Sequence, residues 1–268
     1  MRKIIQIVIL SGLLVMTGCS GRLAFSVGPE QKITFAKGNL QYHPKNNIWQ
    51  FAANQTDCIG ETNSLLSASY DGWIDLFGWS SDTLKIFGVS TSETCNDYIG
   101  DFLDWASNPI VEDQSNTWRT LTMDEWNYLC NERLNADSLK GVAQVNGVNG
   151  LVLLPDKWNC PRSVSFKPGF CDGLEAETYE QQQTFTTEQW TVLEKAGAVF
   201  LPAAGFRRGV EVNYIAEIGS YWSATPFDED GAYFLDFFSE SAEVCAYDRC
   251  LGHSVRLVKD KKKFWPFN

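Results

Sequence analysis

Gly219-Ser220-Tyr221-Trp222-Ser223-Ala224-Thr225-Pro226 opens the C-terminal part of the chain, and Gly252-His253-Ser254-Val255-Arg256-Leu257-Val258 closes it. Between these ends, residues 232–238 and 243–247 alternate with the two-residue period of a half-buried strand. The runs predict an antiparallel meander with a turn at Asp228-Glu229-Asp230-Gly231. In that period Tyr233, Leu235 and Phe237 point inward together with Val244, Ala246, Val255 and Leu257. Phe234, Asp236, Phe238, Glu243, Cys245 and Tyr247 then point outward. An outward set with two Phe and one Tyr exceeds what solubility requires and suits a recognition surface. The competing arrangement is that loops or a second layer cover this face.

Upstream, two segments share one pattern: Leu121-Thr122-Met123-Asp124-Glu125-Trp126 with Leu129, and Phe185-Thr186-Thr187-Glu188-Gln189-Trp190 with Leu193. In each, the Thr hydroxyl can accept a first-turn backbone N–H while Glu125 or Gln189 reaches back to the Thr N–H. Acidic side chains there also suit the positive end of the helix dipole. Two capped helices follow, with Trp126, Leu129 and Arg133 on one face of the first and Trp190, Leu193 and Gly197 on one face of the second. Each precedes a strand that stops at a proline, Gly150-Leu151-Val152-Leu153-Leu154-Pro155 and Gly197-Ala198-Val199-Phe200-Leu201-Pro202. With a hairpin through His43-Pro44-Lys45-Asn46-Asn47, these elements predict one α+β domain. Ten tryptophans are accounted for more simply as core and loop anchors than as a ligand cage.

The pattern of Tyr-Trp-Ser at 221–223, Thr225-Pro226, Ala232-Tyr233, and Ser254-Val255-Arg256-Leu257-Val258 resembles the C-terminal core of the Fibrobacter succinogenes major paralogous domain family. The likeness continues through Ile33-Thr34-Phe35, Lys37-Gly38-Asn39-Leu40-Gln41-Tyr42, Gly72-Trp73-Ile74-Asp75-Leu76-Phe77-Gly78-Trp79, Trp118-Arg119-Thr120-Leu121-Thr122 and Phe200-Leu201-Pro202-Ala203-Ala204-Gly205-Phe206-Arg207. It spans residues 30–259. The resemblance implies a C-type-lectin-like fold of the formylglycine-generating-enzyme branch, with two helices and a C-terminal antiparallel meander. Such scaffolds host enzymes, receptor-binding proteins and adhesins alike, so the resemblance speaks to fold more than to activity.

At the other end, Arg2 and Lys3 precede an apolar run over 4–15, then Met16-Thr17-Gly18-Cys19. This is the layout of a secretory signal and resembles a bacterial lipobox, which implies cleavage before Cys19 and its acylation. The run falls short of the roughly 20 residues needed to span a bilayer. The divisions expected are a signal peptide at 1–18, a lipidated tether at 19–31, the major paralogous domain at 32–260 and a basic-aromatic tail at 261–268. The implied location is the bacterial cell envelope, lipid-anchored at the outer membrane on its periplasmic or surface face. With Arg2 and Lys3 removed, 20 of the 22 basic residues remain against 33 acidic ones, a net charge of −13. That balance repels nucleic acid and anionic lipid over most of the surface. The tail, with Lys261, Lys262 and Lys263 beside Phe264, Trp265 and Phe267, is either a headgroup contact or a frayed terminus.

Seven cysteines accompany Cys19. An odd number leaves at least one unpaired within a monomer. Short separations favour Cys245–Cys250 and Cys160–Cys171, leaving Cys58–Cys95 as the remainder and Cys130, beside core residue Leu129, as the free thiol. Formylglycine-generating enzymes, which the chain resembles, carry two redox cysteines at the spacing of Cys245 and Cys250. Their surrounding copper-site context is missing from Ala246-Tyr247-Asp248-Arg249. Asp228, Glu229 and Asp230 offer hard oxygen ligands but lack the later bidentate carboxylate of a calcium loop, which favours a solvated turn. The sugar-binding Glu-Pro-Asn, Gln-Pro-Asp and Trp-Asn-Asp triplets of C-type lectins do not occur. His43 and His253 have no zinc spacing, and neither a phosphate-cradling glycine loop nor a Gly-x-Ser-x-Gly elbow is present.

No cofactor or metal is therefore expected. The chain reads as a non-catalytic, membrane-anchored module that binds a glycan, peptide or surface protein through Phe234, Asp236, Phe238, Glu243, Tyr247 and Arg249. The alternatives are a cysteine-dependent oxidoreductase and a structural envelope or pilus-associated subunit. Anchoring is directly testable: an alkyne fatty acid fed to expressing cells should label the wild type. Cys19→Ala should lose the label and accumulate as precursor. Labelling that survives the substitution rules out the lipoprotein assignment.

Overall fold

A computed structural model describes residues 23–111, 118–172 and 178–261. The leader, Cys19 and tail residues 262–268 lie outside the described residues, and none of the described helices is long and apolar enough to cross a membrane. In chain order the strands are β1 Phe25–Ser26, β2 Lys32–Phe35, β3 Leu40–His43, β4 Ile48–Phe51 and β5 Trp118–Arg119. After α1 Met123–Asn127 come β6 Lys140–Val145, β7 Val148–Leu153, α2 Tyr179–Gln182, β8 Thr184–Phe185 and α3 Thr187–Lys195. Then follow β9 Val199–Pro202, β10 Phe206–Arg208, β11 Glu211–Asn213, β12 Gly219–Pro226, β13 Gly231–Phe237, β14 Ala242–Asp248 and β15 Val258–Asp260.

Both expected capping boxes are formed: Thr122 with Glu125 starts α1 and Thr186 with Gln189 starts α3. A third box, Thr178 with Gln181, starts the short α2, a helix not foreseen from the sequence. Helix α1 is also shorter than expected, because from Tyr128 the backbone widens into one π turn, Tyr128–Glu132. Trp126, Leu129 and Arg133 nevertheless all end up buried.

The expected hairpin β3–β4 and the meander β12–β13–β14 are both present. The strand expected to start at Gly150 begins at Val148 instead and pairs back on β6, an unforeseen strand, across an Asn146-Gly147 turn. Both turn residues have positive φ, 50° and 82°, the requirement that Asn-Gly meets in a tight hairpin. With β8 and β9 this hairpin makes a four-stranded sheet in the order β8-β6-β7-β9, onto which α3 lays Trp190 and Leu193. The last strand, β15, lies between β2 and β5, joining the two ends of the domain in one sheet, β1-β2-β15-β5.

In β12 and β13 the meander is buried on both faces, while β14 is only partly covered, which corrects the inward and outward sets expected from period two. Tyr221, Leu235 and Phe237, with Ala242 and Val244 packed on them, share one core with Trp126, Leu129, Leu151 and Leu201. Trp222, Ala232 and Phe234 share another with Trp49, Phe77, Trp79, Trp105, Val255 and Leu257. Val255 and Leu257 therefore sit opposite Leu235, and Phe234 is interior. The cause is the route of residues 252–257: Ser254 bridges Tyr221, and backbone bonds from Ala36 and Leu40 to Leu257 and Val255 turn this segment toward the N-terminal hairpin. Tyr233 is half-buried and packs edge-on against Phe227 at 5.3 Å.

Trp222 is wedged at the centre of the second core. It is stacked on His253 at 4.2 Å and donates from its indole to the Phe77 carbonyl at 2.6 Å. Trp222→Ala should cost about 3–5 kcal/mol, and Phe234→Ala a comparable amount. Chemical denaturation of the full chain measures both. A melt shifted by only a degree or two would move Trp222 from the interior to the surface.

Candidate functional site

Where the second core thins out, the meander face opens into a cleft of about 260 Å³ lined by Phe206, Arg208, Ile218, Ser220, Phe234, Asp236, Tyr247, Leu251 and His253. Register explains the grouping: Ser220 stands opposite Asp236, which stands opposite Glu243, while Phe234 pairs with Cys245 and Ala232 with Tyr247. These residues project to one face of the sheet. Hairpin β10–β11 supplies the facing wall, with Phe206 stacked on Tyr214 at 5.7 Å.

The polar groups of the cleft differ in exposure and in charge. Ser220 Oγ donates to Asp236 Oδ1 at 2.6 Å, and burial raises the Asp236 carboxyl to about 6, with Glu243 pushing the same way. His253 is fully enclosed by Trp222 and Phe234, and burial pushes its imidazole down to about 3, so it is neutral at physiological pH. Its Nδ1 is buried with no hydrogen-bond partner among the described residues. Tyr247 is 58% exposed at the mouth, and Arg208, also at the rim, lies 3.7 Å from Glu93.

Of the contact residues expected from sequence, the structure brings Phe234, Asp236 and Tyr247 together in this cleft, Phe234 as buried floor. Glu243 is exposed beside Asp236 on the neighbouring strand. Phe238 lies elsewhere, in a recess with Tyr179, Glu217 and Glu240. Arg249 is removed from the ligand set: it is 4% exposed, stacks over Trp79 at 4.3 Å, and donates to the carbonyls of Gly231, Tyr98, Gly100 and Asp228. Phe206, Arg208, Ser220 and His253 were not foreseen as contacts. Ser220 was legible as the register partner of Asp236, whereas the β10–β11 wall comes from a hairpin the sequence pattern does not announce.

None of the expected cysteine pairings is bonded in the structure. The thiol of Cys160 meets the Val164 carbonyl at 3.2 Å and that of Cys171 the Thr178 carbonyl at 3.4 Å. Cys250 faces Cys95 in place of Cys245, with the sulfurs 3.3 Å apart, because Cys245 points with Phe234 into the second core. Burial raises Cys58, Cys130 and Cys245 to about 11. Asp228 Oδ1 accepts from the N–H groups of Asp230 and Gly231, which makes the Asp228-Glu229-Asp230 stretch a self-bonded turn. Away from the meander, Tyr42, Trp49, Leu66, Lys85 and Phe87 line a wider open groove of about 620 Å³.

Comparison of the chain with protein-family models, with curated proteins and with solved structures finds no match.

The raised Asp236 carboxyl gives a signed expectation. Its ordinary value is 3.8 and its folded value about 6, so the folded state holds the proton more tightly than the unfolded one. The wild type therefore gains stability as pH falls from about 6 to about 4. Asp236→Asn keeps an acceptor for Ser220 and lacks the charge. It should be more stable than the wild type at pH 8 by about 1–2 kcal/mol, with the gap shrinking toward pH 4. A difference that stays constant across that range would show that Asp236 does not titrate there.

Proposed function

We propose that this chain is a membrane-tethered, non-catalytic binding module of the Fibrobacter major paralogous type, with a C-type-lectin-like architecture. It recognises a glycan, peptide or surface protein through the cleft on its C-terminal meander. The observation that carries the reading is the composition of that cleft. An exposed Tyr247 and a half-buried Phe206 offer flat apolar surfaces, while Asp236 and Ser220 offer fixed polar contacts beneath them. Concave, mainly apolar sites with a small number of convergent polar groups are the usual form of a ligand pocket. Aromatic side chains are enriched among the few residues that supply most of an interface's binding energy. The mixed α+β fold, with its capped helices and C-terminal meander, is compatible with that architecture.

An oxidoreductase built on Cys245 and Cys250 finds less support. Cys250 faces Cys95 and not Cys245, and burial raises both Cys245 and Cys250, to about 11 and about 12, away from the thiolate that reactive cysteines require.

The binding reading is tested with the full chain in detergent, probed on arrays of glycans and peptides and then titrated with the strongest binder. Tyr247→Ala and Arg208→Ala remove exposed or rim side chains, so their melting temperatures should stay within a degree or two of the wild type. Each should weaken binding by about 1–2 kcal/mol, a factor of roughly 5–30. Phe238→Ala, in a different recess, should bind as the wild type does. Full affinity in both cleft variants would place the site elsewhere, with the wider groove at Trp49 and Phe87 the next to test.

A further inference from the structure

Cys95 and Cys250 are separated by 155 residues in sequence, and their sulfurs lie 3.3 Å apart. Cys95 is half-buried at the start of the 3-10 turn Cys95–Tyr98, within the loop-rich stretch 82–101. Cys250 is buried just past the end of β14. Their backbones are held together independently of the sulfurs, since the neighbouring Arg249 donates to the carbonyls of Tyr98 and Gly100 at 3.3 and 3.2 Å. The contact is therefore built into the fold and is not a chance approach of two mobile side chains.

We propose that Cys95 and Cys250 form a disulfide in the mature protein, cross-linking the 82–101 stretch to the end of the meander. The other use of the pair is to hold a metal ion with Asp248, whose carboxylate lies within 4.8 Å of both sulfurs. That use fits less well. Two thiolates on a tetrahedral zinc stand roughly 3.8 Å apart, given Zn–S bonds of about 2.3 Å, wider than the observed contact. A disulfide leaves no ionisable group in that position.

The oxidant is a disulfide, carried by a thiol-disulfide oxidoreductase or a small molecule such as oxidised glutathione. Cys95, the more accessible thiol, loses its proton to water and attacks one oxidant sulfur, and the other leaves as a thiolate. Cys250 then attacks Cys95 Sγ, its proton passing to the second oxidant sulfur, which leaves as a thiol. Two electrons move from the two protein thiols to the oxidant, whose disulfide becomes two thiols. An exported protein meets such oxidants. Glu93, two residues before Cys95, lies 3.7 Å from Arg208, so the cross-link also steadies one rim of the proposed cleft.

The test uses the full chain in detergent, reduced and then exposed to oxidised glutathione, with binding left out of the readout so that it stands apart from the ligand proposal. Alkylation, digestion without reduction and mass spectrometry should show one peptide carrying Cys95 joined to one carrying Cys250, with two fewer titratable thiols. The melting temperature should rise by about 5–15 °C, and dithiothreitol should reverse the rise. Cys95→Ser and Cys250→Ser should each melt near the reduced wild type and ignore the reductant, while Cys245→Ser keeps the full shift. Should the buried Cys250→Ser fail to fold, Cys95→Ser together with the peptide map decides the matter. Alkylation of both cysteines after oxidation overturns the proposal. So does a bond from Cys250 to Cys245, or stoichiometric zinc shielding both thiols before any oxidant is added.

Discussion

Buried guanidinium groups bonded to backbone carbonyls hold this domain together. Arg207, Arg249 and Arg256 are all at least 96% buried, and among the described residues their hydrogen bonds go to carbonyl and amide oxygens. Arg256 bridges Asn39, Ala36 and Phe200, fastening the C-terminal segment to the N-terminal hairpin and to β9. Arg207 reaches the carbonyls of Gly209, Leu76 and Ser90, and Arg249 those of Gly231, Tyr98, Gly100 and Asp228. The fold needs such groups because the stretch 52–117 contains only 3-10 turns and isolated bridges among its described residues. Its carbonyls have few ladder partners, and an unsatisfied buried carbonyl is costly. A planar, five-donor group that keeps its charge suits the task. Burial depresses Arg256 only to about 10, so it remains a cation at neutral pH. Lysine, with a compact ammonium, could not span the same carbonyls.

The same arrangement explains why the meander has two interiors. With residues 252–257 drawn across β12 by Arg256, Ser254 and Val255, the face that period two assigns to solvent becomes the floor of a second aromatic core. Only its margin, at Asp236, Glu243 and Tyr247, is left uncovered. The cleft is thus a by-product of incomplete coverage. This accounts for its mixture of buried aromatic floor and exposed aromatic rim.

Local chemistry was legible in the sequence wherever one short stretch decides the structure. The Thr-x-x-Glu and Thr-x-x-Gln boxes, the His43 to Asn47 hairpin and the three meander strands all depend on near neighbours. The Asn146-Gly147 turn that pairs β6 with β7 is equally legible by its dipeptide. What the sequence could not disclose is which distant segment covers a given face. Phe234 and Val255 change sides because of a chain path set by Arg256, and Arg249 looks like an exposed cation until the 98–100 carbonyls surround it. Cysteine partners fail for the same reason, since sequence proximity favours Cys245 whereas the fold delivers Cys95.

The pairing of β2 with β15 also fixes when the molecule can finish folding. Strand β2 is made among the first described residues and its partner among the last, and Val255, Arg256 and Leu257 are needed to close the second core. A chain still emerging from the ribosome has Trp49, Phe77, Trp79 and Trp105 ready and nothing to seal them. Contacts of such long sequence separation form slowly, and the waiting aromatic surface is prone to associate with other chains. The domain therefore closes from its end, and a truncation removing even residues 255–261 should behave as an unfolded, chaperone-dependent chain and not as a slightly shortened domain.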